Sequence, residues 1–217
     1  MRLCVTCKQH VTLKALSFCL ESTLIILCLG PMSKENFYYR ALVACTVGRL
    51  LRRGGVVCSL CGGSLCFHGC YPRHVKDGAG ERHNGWVAQG YCGTCKKYPA
   101  LIPDFVMPHK HYGVAVIEAA ISEVEEDGGL RLSGCPADES TIRRWANQFK
   151  ERGAQAVGWL LSILCSVYER HISTLELQNR SLLKQLARLA CEIQVPKTSG
   201  AIGRVNIILT RHNLGFL

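Results

Sequence analysis

The 217-residue sequence predicts an α+β fold, in which a small β-module held by cysteines is followed by a mainly helical domain. A Cys-x-x-Cys pair occurs twice, within a stretch rich in Gly, Pro, Cys and His where apolar residues alternate over short runs, as they do in β-strands. Beyond that stretch, apolar residues recur at intervals of three and four, which is typical of amphipathic helices. The predicted units are an N-terminal extension and helix, the β-module, a pair of helices around a loop, and a C-terminal helical region, over residues 1–54, 55–111, 112–153 and 154–217 respectively.

The N-terminal unit combines an apolar segment with a basic helix. Residues 11–29 are apolar, but Lys14 and Glu21 interrupt them, and the longest uncharged piece is far shorter than the ~20 residues that span a bilayer. We therefore expect a cytoplasmic protein with no membrane partner. Met32 is an alternative start, in which case residues 1–31 do not belong to the fold. Residues 33–53 have helical spacing and a basic end, and the glycine at position 54 stops the helix.

The two cysteine pairs have the spacing of a zinc ribbon. Cys58 and Cys61 are followed by two glycines, and Cys92 and Cys95 form the second pair after an interval of 30 residues. A Cys-x-x-Cys turn points two thiolates at one tetrahedral ion, and a second such turn completes the four ligands with no open position. The sequence therefore predicts a structural Zn²⁺ site, in preference to four buried or disulfide-linked cysteines.

Two strands are predicted between the cysteine pairs. One carries its apolar side chains at every second position of residues 65–71, the other does so over residues 86–90, and a glycine-rich turn at residues 77–80 joins them. Such a hairpin buries few side chains, so the metal is expected to supply most of its stability.

The remaining cysteines and histidines do not form a second closed ligand set. Those within the module are Cys66, His68, Cys70, His74 and His83. The pair Cys4 and Cys7 has ligand spacing but no second half nearby. Six further cysteines are isolated in apolar or helical surroundings and are interpreted as packing residues: Cys19, Cys28, Cys45, Cys135, Cys165 and Cys191.

Two helices are predicted over residues 112–126 and 138–150. The apolar residues of the first helix share one face: Val114, Ile117, Ile121 and Val124. Asp138 is placed to cap the second helix. The apolar face of that helix comprises Ile142, Trp145, Ala146 and Phe149.

The opposite face of the second helix has the composition of a DNA-reading surface. The chain carries 26 Lys and Arg residues against 16 Asp and Glu, and a surface of that sign attracts polyanions. Arginine and asparagine make bidentate contacts to guanine and adenine, while serine, threonine and lysine suit phosphate. The alternative is an amphipathic helix with a solvated basic face, and composition alone does not separate the two. The predicted DNA contacts are Ser140, Thr141, Arg143, Arg144, Asn147 and Lys150, together with His68 and Arg73 of the ribbon.

Several strings in the chain are found together in one family. They are the two cysteine pairs, His-Gly-Cys-Tyr-Pro-Arg at 68–73, Leu-Ile-Pro-Asp-Phe-Val at 101–106 and Asp-Glu-Ser-Thr-Ile-Arg-Arg-Trp at 138–145. The chain, over roughly residues 55–150, resembles an uncharacterised bacterial family, common in Firmicutes, whose shared domain has no assigned function. Its members have a zinc ribbon followed by a helix-turn-helix-like segment, similar to the N-terminal DNA-binding parts of insertion-sequence transposases. The resemblance implies DNA binding associated with mobile elements.

A catalytic function is not expected. Transposition chemistry requires carboxylates that hold two metal ions, whereas the four aspartates of this chain lie in turns, caps or a proline-rich loop. We therefore expect a zinc-ribbon DNA-binding protein, a regulator or a transposition accessory, with double-stranded DNA as partner and no small-molecule substrate.

The alternative function is a zinc-stabilised protein-interaction or scaffold module. The C-terminal region has apolar stripes at helical spacing, which either pack within the protein or seal a dimer. Only the DNA-binding function predicts a steep dependence of duplex affinity on salt. The stripes are formed by Leu160, Ile163, Leu164, Val167, Leu182, Leu186, Leu189 and Ile193.

Overall fold

The computed structural model describes residues 24–27, 37–54, 56–127, 134–193, 195, 200–212, 214 and 216. Over these residues the chain forms a four-stranded sheet and five α-helices, which confirms the predicted α+β class. The elements in chain order are β1 (Leu24–Leu27), α1 (Arg40–Arg52), β2 (Leu65–Lys76), β3 (Arg82–Cys92), β4 (Ala100–Pro103), α2 (Val114–Asp127), α3 (Glu139–Tyr168), α4 (Leu182–Glu192) and α5 (Gly200–Arg211).

The sheet has the strand order β1-β4-β3-β2. Strands β2, β3 and β4 are antiparallel, whereas β1 pairs with β4 in parallel, from Leu24 opposite Ala100 to Leu27 opposite Pro103. Residues 24–27 therefore lie in the sheet, although the sequence analysis leaves residues 1–31 as an extension that need not fold. Cys4, Cys7 and Met32 lie outside the described residues.

The β2–β3 hairpin contains a bulge that the sequence pattern does not reveal. Phe67 is opposite Gly90, but Gly69 is opposite the next residue, Gln89, so His68 is an extra residue in β2. Since successive residues of a strand point to opposite faces, the bulge reverses the alternation. The sequence analysis expected residues 65–71 to present their apolar positions on one face. Because of the bulge, residues 69–71 do not continue the face of residues 65–67.

Helix α1 packs on the hairpin through an aromatic contact. The ring of Phe37, which is 1% exposed, lies against Gly85 of β3. A β-carbon at position 85 would come within 1.7 Å of the ring, so only glycine fits there. Helix α1 begins later than predicted, at Arg40, and the chain leaves it at Gly54 with a φ of +67°, as expected. The first core thus joins α1 to the sheet.

Helices α2 to α5 enclose a second core. The apolar faces predicted for the first two helices are buried, and Trp145 is 2% exposed. The C-terminal stripes also pack mainly into this core, whereas Val167 is exposed. The stripe residues buried there are Leu160, Ile163, Leu164, Leu186, Leu189 and Ile193.

Helix α3 is longer than the sequence predicts. It runs without interruption through Gly153, where the sequence analysis placed a boundary between units. That glycine is buried, and a β-carbon there would lie 2.4 Å from Leu182 of α4. The glycine therefore allows two helices to approach closely and does not end the helix, and residues on both sides of it share one core.

Two glutamates of α2 cap the helices that follow it. The Glu118 carboxylate accepts hydrogen bonds from the amide N–H groups of Ala201 and Ile202, at 2.9 Å each, at the start of α5. Glu125 accepts from Leu182 and Leu183, at 3.1 Å each, at the start of α4. A carboxylate at a helix N-terminus satisfies free amides and interacts favourably with the helix dipole.

Among the described residues, no helix is both long enough and apolar enough to cross a bilayer.

We expect Glu118→Ala to lower the free energy of unfolding by about 1 kcal/mol, because two amides at the start of α5 lose their acceptor. Urea denaturation measures the change. Glu123→Ala is the matched control, since Glu123 lies on the same helix and caps neither α4 nor α5. Equal destabilisation by both variants would contradict the capping role of Glu118.

Candidate metal centre and basic helix

The two Cys-x-x-Cys turns adopt the same backbone structure. In the first, the amide N–H of Gly62 donates to the carbonyl oxygen of Cys58 at 2.9 Å, and in the second Lys96 donates in the same way to Cys92 at 2.9 Å. Both donors have left-handed backbones, with φ of +70° at Gly62 and +59° at Lys96. The carbonyl oxygen of the sixth residue of each turn accepts from the amide of the first cysteine: Gly63 from Cys58 at 2.8 Å, and Lys97 from Cys92 at 3.0 Å.

The hairpin brings the two turns together. One turn precedes β2 and the other follows from the end of β3, where Leu65 is paired with Cys92. A β-carbon at Gly63 would lie 2.6 Å from the Thr94 hydroxyl oxygen and 3.2 Å from the Cys92 sulfur. Glycine at position 63 therefore allows the turns to touch.

The four cysteine sulfurs predicted as ligands converge. The Sγ atoms of Cys58 and Cys95 are 3.6 Å apart, those of Cys61 and Cys92 are 3.4 Å apart, and all four lie within 4.8 Å of one another. Four sulfurs at about 2.3 Å from one tetrahedral ion would be separated by about 3.8 Å, so this set fits a metal ion. Four thiolates around one tetrahedral ion would leave no coordination position open, as is typical of structural sites.

The surroundings of the sulfurs shift the pKa values of two of the thiols in opposite directions. Burial raises the pKa of the Cys58 thiol to about 12. Burial also disfavours the Cys92 thiolate, but hydrogen bonds from the amide of Cys95, the thiol of Cys61 and the amide of Thr94 outweigh it and lower the pKa of Cys92 to about 6. A bound cation would add the attraction that allows the buried Cys58 to ionise as well.

The other cysteines and histidines of the module lie apart from this centre. Asp77, Glu81 and His83 form a second cluster, at the opposite end of the hairpin. There the Asp77 carboxylate accepts from the amides of Ala79 and Glu81 and contacts the His83 ring at 2.7 Å, which stabilises the turn between β2 and β3. His83 lowers the pKa of Asp77.

Three cysteines interpreted as packing residues are in fact exposed. Cys45, Cys165 and Cys191 lie on helix surfaces, and Cys135 is half-buried. Helical spacing places an isolated cysteine on either face, so its sequence context does not report its burial. Cys19 and Cys28 lie outside the described residues.

The N-terminal half of α3 presents the face that the sequence analysis assigns to DNA. Asp138 caps the helix, and its pKa is lowered to about 2 by hydrogen bonds from the Ser140 hydroxyl and from the amide and hydroxyl of Thr141. Arg143 forms an exposed ion pair with Glu139 at 2.7 Å. A shallow groove of about 680 Å³ follows this face and is lined by Glu139, Ser140, Arg143, Arg144, Asn147, Gln148 and Glu151.

The side chains of α3 that are predicted to contact DNA differ in whether they already form hydrogen bonds within the protein. Arg144, Asn147 and Lys150 are exposed or line the groove, whereas Ser140 and Thr141 donate their hydroxyls to the Asp138 cap. The structure thus leaves the first three more available to a ligand than the two hydroxyls.

The two predicted contacts on the ribbon have different surroundings. His68, in the bulge, is exposed and its ring lies 4.6 Å from that of Tyr98. Arg73 instead donates to the carbonyl oxygens of Met107 at 2.6 Å and Lys110 at 2.9 Å, and burial lowers its pKa. Arg73 therefore fixes the loop between β4 and α2.

The sequence analysis missed Lys110. Its ammonium donates to the side-chain oxygen of Gln148 on α3, across an interval of 38 residues. No local pattern connects positions so distant, and only the fixed loop brings them together.

Residues 58–145 match the model of a family described as a domain of unknown function, DUF6431. The match begins at the first cysteine of the metal centre and ends at Trp145 in α3, so the segment is similar to that family from the ribbon to the basic helix. This agrees with the predicted resemblance to an uncharacterised family. No curated protein and no solved structure matches the chain.

We expect the purified protein to hold one metal ion per chain, and Cys58→Ser and Cys92→Ser each to lose it with a marked fall in the melting temperature. The reason is that a tetrahedral site with one ligand missing binds its ion far more weakly. Elemental analysis and thermal denaturation measure both effects. Cys66→Ser is the control, because Cys66 is exposed on β2 outside the cluster. If Cys92→Ser kept stoichiometric metal, the ligand assignment would be wrong.

Proposed function

We propose that this protein is a zinc-ribbon DNA-binding protein without a catalytic core, and that α3 is the element that reads the duplex. The observation that carries the proposal is the division of α3 into two faces. Ile142, Trp145 and Phe149 are buried against the second core, while Arg144 and Asn147 line an exposed groove. A recognition helix needs this rigid support behind the side chains that contact bases.

Zinc is the proposed ion. Four thiolates in tetrahedral arrangement select zinc or iron. Zinc has no redox chemistry, and a closed structural site requires none. The elemental analysis described above identifies the metal directly.

The exposed side chains support duplex DNA as the partner. Arginine pairs with the O6 and N7 atoms of guanine and asparagine with the N6 and N7 atoms of adenine in the major groove. The Arg143–Glu139 pair is exposed, and such pairs contribute at most about 1 kcal/mol, so Arg143 can exchange its carboxylate for a phosphate. The formal net charge of +10 favours association with a polyanion.

Association with mobile elements rests on the resemblance to the N-terminal DNA-binding parts of insertion-sequence transposases. The role proposed on that basis is a regulator or an accessory of transposition.

A protein-interaction module is the second candidate function. The end of α3 and the residues after it expose apolar side chains, with Val167 57%, Tyr168 38% and Leu175 71% exposed. Exposed apolar side chains suit a protein partner or a second copy of the chain when they adjoin one another.

Selection of bound sequences from random duplex DNA separates the two functions. We expect an enriched site, and Arg144→Ala to weaken binding to it by about 1–3 kcal/mol while relaxing preference at one base pair. Lys150→Ala should weaken all sequences alike and reduce the salt slope by about one unit, as loss of a phosphate contact does. Failure to enrich any sequence, or an Arg144→Ala variant with wild-type preference, would favour the interaction module.

A further inference from the structure

Three cations from two parts of the fold lie around one side chain of α3. Arg144, Gln148 and Arg152 occur at intervals of four residues, which places them in one row along the helix. Lys110, from the loop before α2, reaches the middle of this row and donates to the side-chain oxygen of Gln148. Lys110, Arg144 and Arg152 form a cation cluster around Gln148.

The cluster lacks a counter-ion. Among the described residues, neither Lys110, Arg144 nor Arg152 forms an ion pair with a carboxylate. Glu151 lines the groove together with Arg144 and Gln148, but it forms no ion pair with any of the three cations. Burial, and in addition the repulsion from Arg144 and Arg152, lowers the pKa of Lys110. An anion bound beside Lys110 would set attraction against this repulsion.

Two of the three cations, Lys110 and Arg152, are held in place by contacts with other parts of the chain. The guanidinium of Arg73 bonds the carbonyl oxygens of Met107 and Lys110, and His109 between them has a left-handed backbone with φ of +56°. On the helix side, Arg152 donates to the carbonyl oxygen of Phe216 at 3.0 Å. A site fixed in advance loses less side-chain entropy when its ligand binds.

We propose that Lys110 and Arg152, the two cations beside Gln148 that are held in place, form a binding site for a phosphodiester group of the nucleic-acid backbone and leave Arg144 to contact a base. The proposal rests on the DNA-binding function proposed above and adds a contact that joins the ribbon to the helix. A phosphate at this position would fix the register of α3 on the duplex, because contacts to the backbone orient a protein without reading sequence. Arg73 acts as a positioning residue for Lys110.

The test is the salt dependence of binding to a duplex of random sequence. We expect Lys110→Ala and Arg152→Ala each to reduce the slope of log affinity against log salt by about one unit. Between 50 and 200 mM salt, wild-type affinity should thus fall about 3.5-fold more than that of either variant, since each phosphate contact contributes about 0.9 to the slope. Lys110→Arg should keep the wild-type slope.

Lys184→Ala is the matched control, because it removes one exposed lysine of α4, which pairs with Glu126 at 3.2 Å and is not part of the cluster. Wild-type slopes in both Lys110→Ala and Arg152→Ala would overturn the proposal while leaving DNA binding by the rest of α3 intact.

A second measurement separates this proposal from the proposed function. Nuclear magnetic resonance follows the side-chain amide of Gln148 during titration with inorganic pyrophosphate, and we expect a saturable shift in the wild type that Lys110→Ala abolishes. This result supports the site even if the wild type binds no duplex, in which case only the DNA-binding function fails. Absence of the shift in the wild type, or a shift that Lys110→Ala retains, overturns the site.

Discussion

The convergence of four cysteine sulfurs is the constraint on which the ribbon depends. The hairpin places few apolar side chains in the first core, chiefly Leu65, Val75 and Val87, and its two chain ends meet at the Cys-x-x-Cys turns. Metal binding to structural zinc sites is worth about 10–16 kcal/mol in small peptides, which is comparable to the whole stability of a typical domain at about 5–15 kcal/mol. We therefore expect a bound ion, more than the packing of the strands, to decide whether this part of the chain is folded.

The position of the basic helix relative to the ribbon follows from the same constraint. With the turns joined, β2 places Arg73 beside the loop that follows β4, and Arg73 holds that loop through two carbonyl oxygens. The loop in turn places Lys110 against Gln148 of α3. From the same loop, Tyr112 packs against Trp145 of α3 with ring centroids 5.1 Å apart. The metal centre thus acts on the proposed nucleic-acid surface through a short series of direct contacts.

Local patterns in the sequence predicted much of the fold and of the metal centre. The paired cysteines have a fixed spacing because each turn must direct two sulfurs at one ion, and the helix faces have a fixed spacing because the helix repeats every 3.6 residues. Both features are confirmed at Cys58, Cys92 and Trp145.

Features that depend on contacts between distant residues were not predictable in this way. The bulge at His68 has no marker in the alternation of apolar residues, and Gly153 looks like the end of a helix until Leu182 is seen against it. No sequence pattern linked Glu118 to Ile202, which is 84 residues away. The same holds for Lys110 and Gln148, which are 38 residues apart.

Amide hydrogen exchange on the intact chain, with its metal and after removal by a chelator, tests the dependence of the ribbon on the ion most directly. Removal should expose the amides of Val87 and Ala88 in β3 to rapid exchange. The amides of Leu160 and Leu164 in α3 should stay protected, because their core does not include the metal centre. Continued protection of β3 in a sample shown by elemental analysis to be free of metal would contradict the account.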